Sequence, residues 1–566
     1  MGSAYLDAKG KQAFGKPGKA VQRHGGLRKA AAIQTLASLI WIPQAGLVAV
    51  AVGRIADGGG FNRVVWLAVF IALLGIAKSC LEAAGGRMAF RAARAELTAR
   101  RELAVTALAR RSPIDSTKPN SGAAASVVGE QAEMIVPYLS RFQPARFKAS
   151  AVPLVILACV FPISWIAAFI LLFAMPLIPV FMALIGWRAQ AASEKQLAAT
   201  GGLNGFLLDR LRGMATIRSF DAVDATATRL RADAQSLKVR TMAVLKIAFL
   251  SSAVLELFAA LGVALVAVYI GFSLLGEIRF GAWTGGLDLT TGLFVLLLAP
   301  AFFEPLRELS AVWHDRAAGE AAIKAIDALS SDGLMLPEGT DRFADQPSTR
   351  AGAIRMKNVG FRYGKDADAA IDAFDLDIRP GEHVALLGAS GSGKSTLLAL
   401  IAGQAACETG SVTIDEQPAN PRLQSKIAWV GQKPHIFAGT IAGNVLLGRP
   451  TLSRQDAAIA LDLAKLGRLA RHHGQRPLGD GGAGLSGGEA LRLAIARAAG
   501  NRDACIVLAD EPTAHLDAET ASDITESLLV LARGRTLVVA THDPRLAARM
   551  DRTILLGSEL AREAAE

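Results

Sequence analysis

Between Val384 and Leu398 the chain reads VALLGASGSGKSTLL, and Gly388, Gly391, Gly393, Lys394 and Ser395 keep the spacing G-x-x-x-x-G-K-[ST] of a phosphate-binding loop. The apolar residues before it predict a strand, and those after it a helix. Glycine at these positions lets the backbone curl so that its N–H groups, with the positive end of the helix, converge on a phosphate. Lys394 neutralises phosphate charge and the Ser395 hydroxyl can ligate Mg²⁺. Gly388, Ser390, Gly391, Gly393, Lys394, Ser395 and Thr396 form the expected nucleotide-binding set.

Five further pieces follow a nucleotide's needs. Tyr363, in FRYG, lies 25 residues before Gly388 and offers a face on which adenine can stack. Gln432, in WVGQKP, is placed to reach Mg²⁺ and an attacking water. Leu485-Ser486-Gly487-Gly488-Glu489 precedes a helical run whose first amides can hold a γ-phosphate. Cys505 to Glu511 reads as a buried strand ending in two carboxylates, Asp510 for Mg²⁺ through water and Glu511 to polarise the attacking water. His542 closes a later strand in VVATHD and can contact the same phosphate. Each residue alone is commonplace in a structural role; their order behind a phosphate loop points to hydrolysis.

Short strands with turn signals from Ile354, then alternating strands and helices, predict an α/β domain over residues 351–566. A stretch rich in Pro, Gly and Asp at 330–350 reads as a linker. Residues 30–329 are of another kind. The whole chain has 566 residues, 52% of them hydrophobic and 20% charged, with a mean hydropathy of +0.34, which suggests a membrane protein carrying a soluble part. Ala30 to Gly53 holds 24 residues without a charge, enough to cross a ~30 Å hydrocarbon core. A second apolar segment starts at Val64 and fades by Glu82. Ala151 to Trp187 is uncharged over 37 residues, nearly two spans' worth, with a break at Phe161-Pro162-Ile163-Ser164. Ile247 to Leu275, interrupted only by Glu256, and Thr290 to Phe303 complete six expected spans.

Seven Lys or Arg residues lie in the basic segment 1–29, and five Arg residues between 87 and 101 follow the second span, whereas the loops at 54–63, 162–164 and 276–288 carry little net charge. The positive-inside rule therefore puts both termini in the cytoplasm. It also accounts for the net charge of +11 without a nucleic-acid partner. Cys80, Cys159, Cys407 and Cys505 lack the spacing of a zinc site or a disulfide framework. The polar insertions at about 85–145 and 188–245 favour helix and read as cytoplasmic extensions of the spans. Turns within them, at Ser112 to Ser116 and Gly213 to Thr216, are candidates for contact with the α/β part.

Tyr363, GASGSGKS, Gln432, LSGGE, LADEP, AHLD and His542 together resemble the A-loop, Walker A, Q-loop, signature, Walker B, D-loop and H-loop of an ABC transporter ATPase. The fifth signature position is Glu489, where Gln is commoner. Six spans with long cytoplasmic extensions ahead of one such domain are similar to the exporter type, and segments 206–222, 248–277 and 298–322 resemble the CydD-type subunits of heterodimeric CydDC exporters. That resemblance implies a head-to-tail pair of ATPase domains, with Leu485–Glu489 capping the partner's ATP and Asp517 in the D-loop. It further implies a CydC-like partner half, a bacterial inner-membrane location, a role in cytochrome bd assembly, and cysteine or glutathione as cargo, with haem as a competing proposal. Lipid or peptide export and a non-transporting ATP-binding regulator are the alternative readings. Glu256, ionisable at membrane depth, serves either the cargo or an interhelical bond. His314 is either a haem ligand or a hydrogen-bonded structural residue.

Overall fold

The computed structural model describes residues 24–58, 62–119, 121–175, 213–278, 280–283, 286–331, 333–337, 351–364, 367–447, 451–474, 476–479 and 484–557, with isolated residues 207, 210, 449 and 482. The chain divides into two compact units: Met1–Val105 with Ser121–Ser331, and Thr106–Asn120 with Asp332–Glu566.

The described residues of unit one are mainly helical. Helices His24–Leu39 and Trp41–Ala56 are joined at Ile40 and correspond to the first expected span. Asn62–Ala109 has 48 residues and Val223–Leu274 has 52, or about 70 and 80 Å of helix against a hydrocarbon core of ~30 Å. The expected extensions are thus continuous with the spans. Leu289–Ala311 and Trp313–Ser331 follow. Among the described residues four stretches are long and apolar enough to cross a membrane: Gly25–Ala56, Val64–Ala109, Ala253–Leu274 and Leu289–Ser330.

The expected third and fourth spans begin as helix Gln143–Val160 and the shorter apolar helix Trp165–Met175, with the turn between them at Phe161–Ile163. Ser164 Oγ accepts from the Ala167 amide and so starts the second helix. Residues 176–187 lie outside the described residues. The same serine donates to Gly281 O at 2.9 Å and stands 3.2 Å from Tyr269 Oη, while Ser164 and Ala282 pair as an antiparallel bridge. The two loops expected on one side of the membrane therefore meet. Beneath them Ile156, Val160, Leu171, Val266, Ile270, Leu298, Phe302 and Phe303 form the buried core.

The turn expected at Gly213 to Thr216 differs in detail. Gly213 caps a short helix, Met214–Ser219, and the return comes at Phe220–Ala222, where Asp221 adopts φ +50°.

Unit two contains two sheets. Strands β1 (Ile354–Arg362), β2 (Ala369–Ile378), β4 (Thr409–Ile414) and β5 (Gln417–Pro418) form an antiparallel sheet in the order β2-β1-β4-β5. Strands β3 (His383–Gly388), β6 (Ile427–Val430), β7 (Ile506–Asp510), β8 (Thr536–Thr541) and β9 (Arg552–Leu556) form a parallel sheet in the order β6-β7-β8-β3-β9. Alternate residues of β7 and β8 feed opposite faces. Ile506, Leu508, Val538 and Ala540 join a cluster with the antiparallel sheet and the P-loop helix Lys394–Ile401. Val507, Ala509, Leu537 and Val539 join another with helices Gly487–Ala499 and Ala518–Leu531. Burial on both faces explains why these strands read as unbroken apolar runs.

Candidate nucleotide site

Because β7, β8 and β3 are neighbours and parallel, their carboxyl ends share one edge, where ligands bind in open α/β sheets. The P-loop leaves β3 at this edge, Asp510 ends β7, and His542 follows β8. Strand order brings Lys394, Ser395, Asp510, Glu511 and His542 together, although 148 positions separate Lys394 from His542 in the chain.

Gly391 and Gly393 have φ of +85° and +90°, which an L side chain resists, and a Cβ on Gly393 would lie 2.6 Å from Ile371 Cδ1. Lys394 is only 5% exposed. Its Nζ donates to Gly388 O and Ala389 O, each at 2.8 Å, and lies 3.7 Å from Glu511 Oε1. The lysine therefore holds the curl of its own loop and faces the carboxylate expected to polarise water.

Ser395 Oγ donates to Asp510 Oδ1 at 2.9 Å. A hydroxyl and a carboxylate side by side are the oxygen donors that Mg²⁺ prefers, so these residues fit the ion. Burial pushes the Asp510 carboxyl above its ordinary range, the Ser395 hydrogen bond opposes this, and the neighbouring Glu511 charge adds to the rise. Glu511 stands at φ +50°, with its amide donating to Ala540 O at 2.8 Å and its Oε2 hydrogen-bonded to His542 Nδ1. Backbone and imidazole together fix the direction of the carboxylate.

Tyr363 places its Oη 2.7 Å from Thr396 Oγ1, with Phe361 edge-on at 5.2 Å, and leaves its ring partly exposed. Gln432 is exposed two residues beyond β6, the strand beside β7. Ser486 caps helix Gly487–Ala499 in a capping box: its Oγ accepts from the Glu489 amide, while Glu489 Oε2 accepts from the Ser486 amide at 2.7 Å. Leu485 packs against the cluster on the helical face of the sheet, and Gly488 sits against Thr520. Asp517 caps Ala518–Leu531 by accepting from the Thr520 amide at 2.9 Å, which holds its carboxyl below the usual range.

One contributor carried no sequence signal. Arg497, on the helix that Ser486 begins, donates to Asn444 O, Asn444 Oδ1 and His435 O. It ties that helix to the segment following Gln432. An arginine inside ALRLAIARAA looks like any helix-face charge until the segment it holds is known.

In unit one, Glu256 Oε1 accepts from Arg307 Nη1 at 3.3 Å, an interhelical pair between Val223–Leu274 and Leu289–Ala311. His314 is exposed near the start of Trp313–Ser331. Among the described residues no group of three or more His, Cys, Asp or Glu side chains is arranged to hold a metal.

Residues 371–514 match the model of the ABC transporter family, and residues 31–295 match that of the ABC transporter transmembrane region. Over 429 residues the chain is 38% identical to the glutathione/L-cysteine transport system ATP-binding/permease protein CydD of Escherichia coli strain K12, covering 75% of this chain and 72% of that protein. The chain belongs to the CydD-type ABC exporters. It is also 29% identical over 555 residues to the glutathione/L-cysteine transport system ATP-binding/permease protein CydC of Bacillus subtilis strain 168, covering 95% of this chain and 94% of that one. Its fold is similar to that of a bacterial Atm1-family ABC exporter with ATP bound, with a TM-score of 0.70, 21% identity, and coverage of 95% and 96% of the two chains. This CydD-type chain is a multi-pass membrane protein with an ATPase domain coupled to transport.

Proposed function

We propose that this chain is one half of a heterodimer with a CydC-type partner, and that the pair uses ATP to move glutathione or L-cysteine across the bacterial inner membrane to the periplasm. Both termini lie on the cytoplasmic side, as the distribution of Lys and Arg favours. The observation that carries the reading is the junction of Lys394, Ser395, Asp510, Glu511 and His542 on one sheet edge, in a chain that also carries membrane-spanning helices.

Lys394 and the P-loop amides hold the β- and γ-phosphates, and Ser395 with Asp510 holds Mg²⁺, which neutralises charge on those phosphates. Glu511, aimed by His542, accepts a hydrogen bond from the attacking water, and Gln432 orients that water from the neighbouring strand. Tyr363 presents its ring to adenine. Ser486–Glu489 stand at the start of a different helix and cap the nucleotide of the partner half, so each ATP is enclosed by two chains.

The test is ATPase and uptake by inverted proteoliposomes holding both halves, with labelled glutathione, cysteine, haem and lipid offered in parallel. Stimulation and ATP-dependent accumulation with glutathione or cysteine support the reading. Stimulation by haem or lipid alone overturns the cargo, and equal activity of this half without its partner overturns the heterodimer.

A further inference from the structure

The chain passes between its two units three times, at Val105/Thr106, Asn120/Ser121 and Ser331/Asp332. Just beyond the first and third of these crossings, within unit two, the two strands of chain are hydrogen-bonded to each other. Ser112 N donates to Leu334 O and Leu336 N donates to Arg110 O, both at 2.8 Å, and Arg111 pairs with Met335 as an antiparallel bridge.

This short ladder is pinned by buried charge. Arg111 Nε lies 2.9 Å from Asp115 Oδ2, and each side chain is only 4% exposed. Asp115 Oδ1 also accepts from the Thr117 amide and hydroxyl, at 2.9 and 2.7 Å. Gly333 stands at φ +132°, and a Cβ there would fall 2.2 Å from Arg111 Nε and 2.4 Å from Asp115 Oδ2. Only glycine lets the backbone lie against the ion pair. Ile114 and Leu334 then pack on the cluster that contains Leu386 of β3 and Leu397 of the P-loop helix.

Burying an ion pair gains little stability over an apolar pair of the same volume, because desolvation offsets the attraction. Here the pair sits between a backbone ladder on one side and the close approach of Gly333 on the other. We propose that Arg111, Asp115 and Gly333 form a rigid coupling joint, which makes the turn at Ser112–Ser116 and the segment Gly333–Leu336 one piece with the P-loop core. ATP-driven displacement of that core is thereby delivered at once to the C-terminal end of Asn62–Ala109 and to the chain leaving Trp313–Ser331. These three residues are positioning residues; they act through the joint and touch no reactant.

The proposal rests on the chain being an ATP-driven transporter half, and its test needs no knowledge of the cargo. In the full heterodimer, with native cysteines replaced, a single probe is placed by Leu275→Cys, and its alkylation rate is compared with and without ATP and vanadate. An unchanged rate in the otherwise wild-type pair would fault the transporter reading itself. Given a wild-type change, Asp115→Asn should shrink it about fivefold while ATP hydrolysis continues. The double change Arg111→Met with Asp115→Leu removes the charges but keeps apolar volume, and so controls for folding. A double variant that melts like wild type, hydrolyses ATP and has lost the ATP-dependent rate change supports the joint. One that keeps the full rate change overturns it.

Discussion

The amide of Glu511 donates to Ala540 O and its carboxylate is bonded to His542, so the end of the neighbouring strand β8 holds this one residue by both its backbone and its side chain. With the backbone at φ +50°, an uncommon conformation for a residue other than glycine, this orientation is set before any reaction begins. Removing the carboxylate's charge while keeping its shape should separate binding from chemistry. Glu511→Gln is expected to bind ATP as wild type does and to lose about 100-fold or more in turnover, measured on the purified heterodimer. An unchanged rate would remove Glu511 from its role.

Lys394 bonds Gly388 O and Ala389 O in addition to its charge. Lys394→Ala therefore loses both the phosphate's counter-charge and two ties that shape the loop. Nucleotide affinity should fall about tenfold or more, a change titration with a fluorescent ATP analogue would detect. Equal affinity would contradict this account of the loop.

Asp510 gives a pH-dependent prediction. Its carboxyl is raised from an ordinary value of 3.8, chiefly by burial. The folded state then holds the proton more tightly than the unfolded one, so this group's contribution to stability is greatest below the unfolded value and is lost as pH rises through the folded one. At neutral pH the buried charge is a liability. Asp510→Asn should melt at a higher temperature than wild type at pH 7, with the gap narrowing as pH falls toward the carboxylate range, and should lose Mg²⁺-dependent hydrolysis. A lower melting temperature at pH 7 would show that the Ser395 bond outweighs burial.

Glu489 replaces the commoner Gln of the signature, and the structure gives it a local task as the return half of a capping box. Glutamine can accept the same amide bond. Glu489→Gln should leave ATPase activity within about twofold, whereas Glu489→Ala should destabilise the helix start by about 1 kcal/mol. Thermal melting of the two variants distinguishes them.

The nucleotide site was legible in the sequence because its parts are short, local and chemically demanding. A P-loop needs Gly391, Gly393, Lys394 and Ser395 in one run, and Asp510 with Glu511 ends one apolar strand. The helical extensions were legible as well, since Asn62–Ala109 and Val223–Leu274 continue favourable helix formers past the apolar stretch. Long-range polar ties were not. Arg497 to Asn444 and Arg111 to Asp115 with Gly333 depend on segments being folded against one another, and neither leaves a periodic mark. The breaker at Gly213 was visible, yet a glycine that starts a helix and one that ends it look alike until the next turn is seen.

The bridge between Ser164 and Ala282, with Tyr269 donating to Phe280 O and Trp283 Nε1 to Phe161 O, fastens the turn after Gln143–Val160 to the loop after Val223–Leu274. Two rods buttoned together at one tip behave like tongs. They cannot slide lengthwise past each other without breaking that fastening, so any relative motion between them must be a swing that grows with distance from Ser164 and is widest at their far ends.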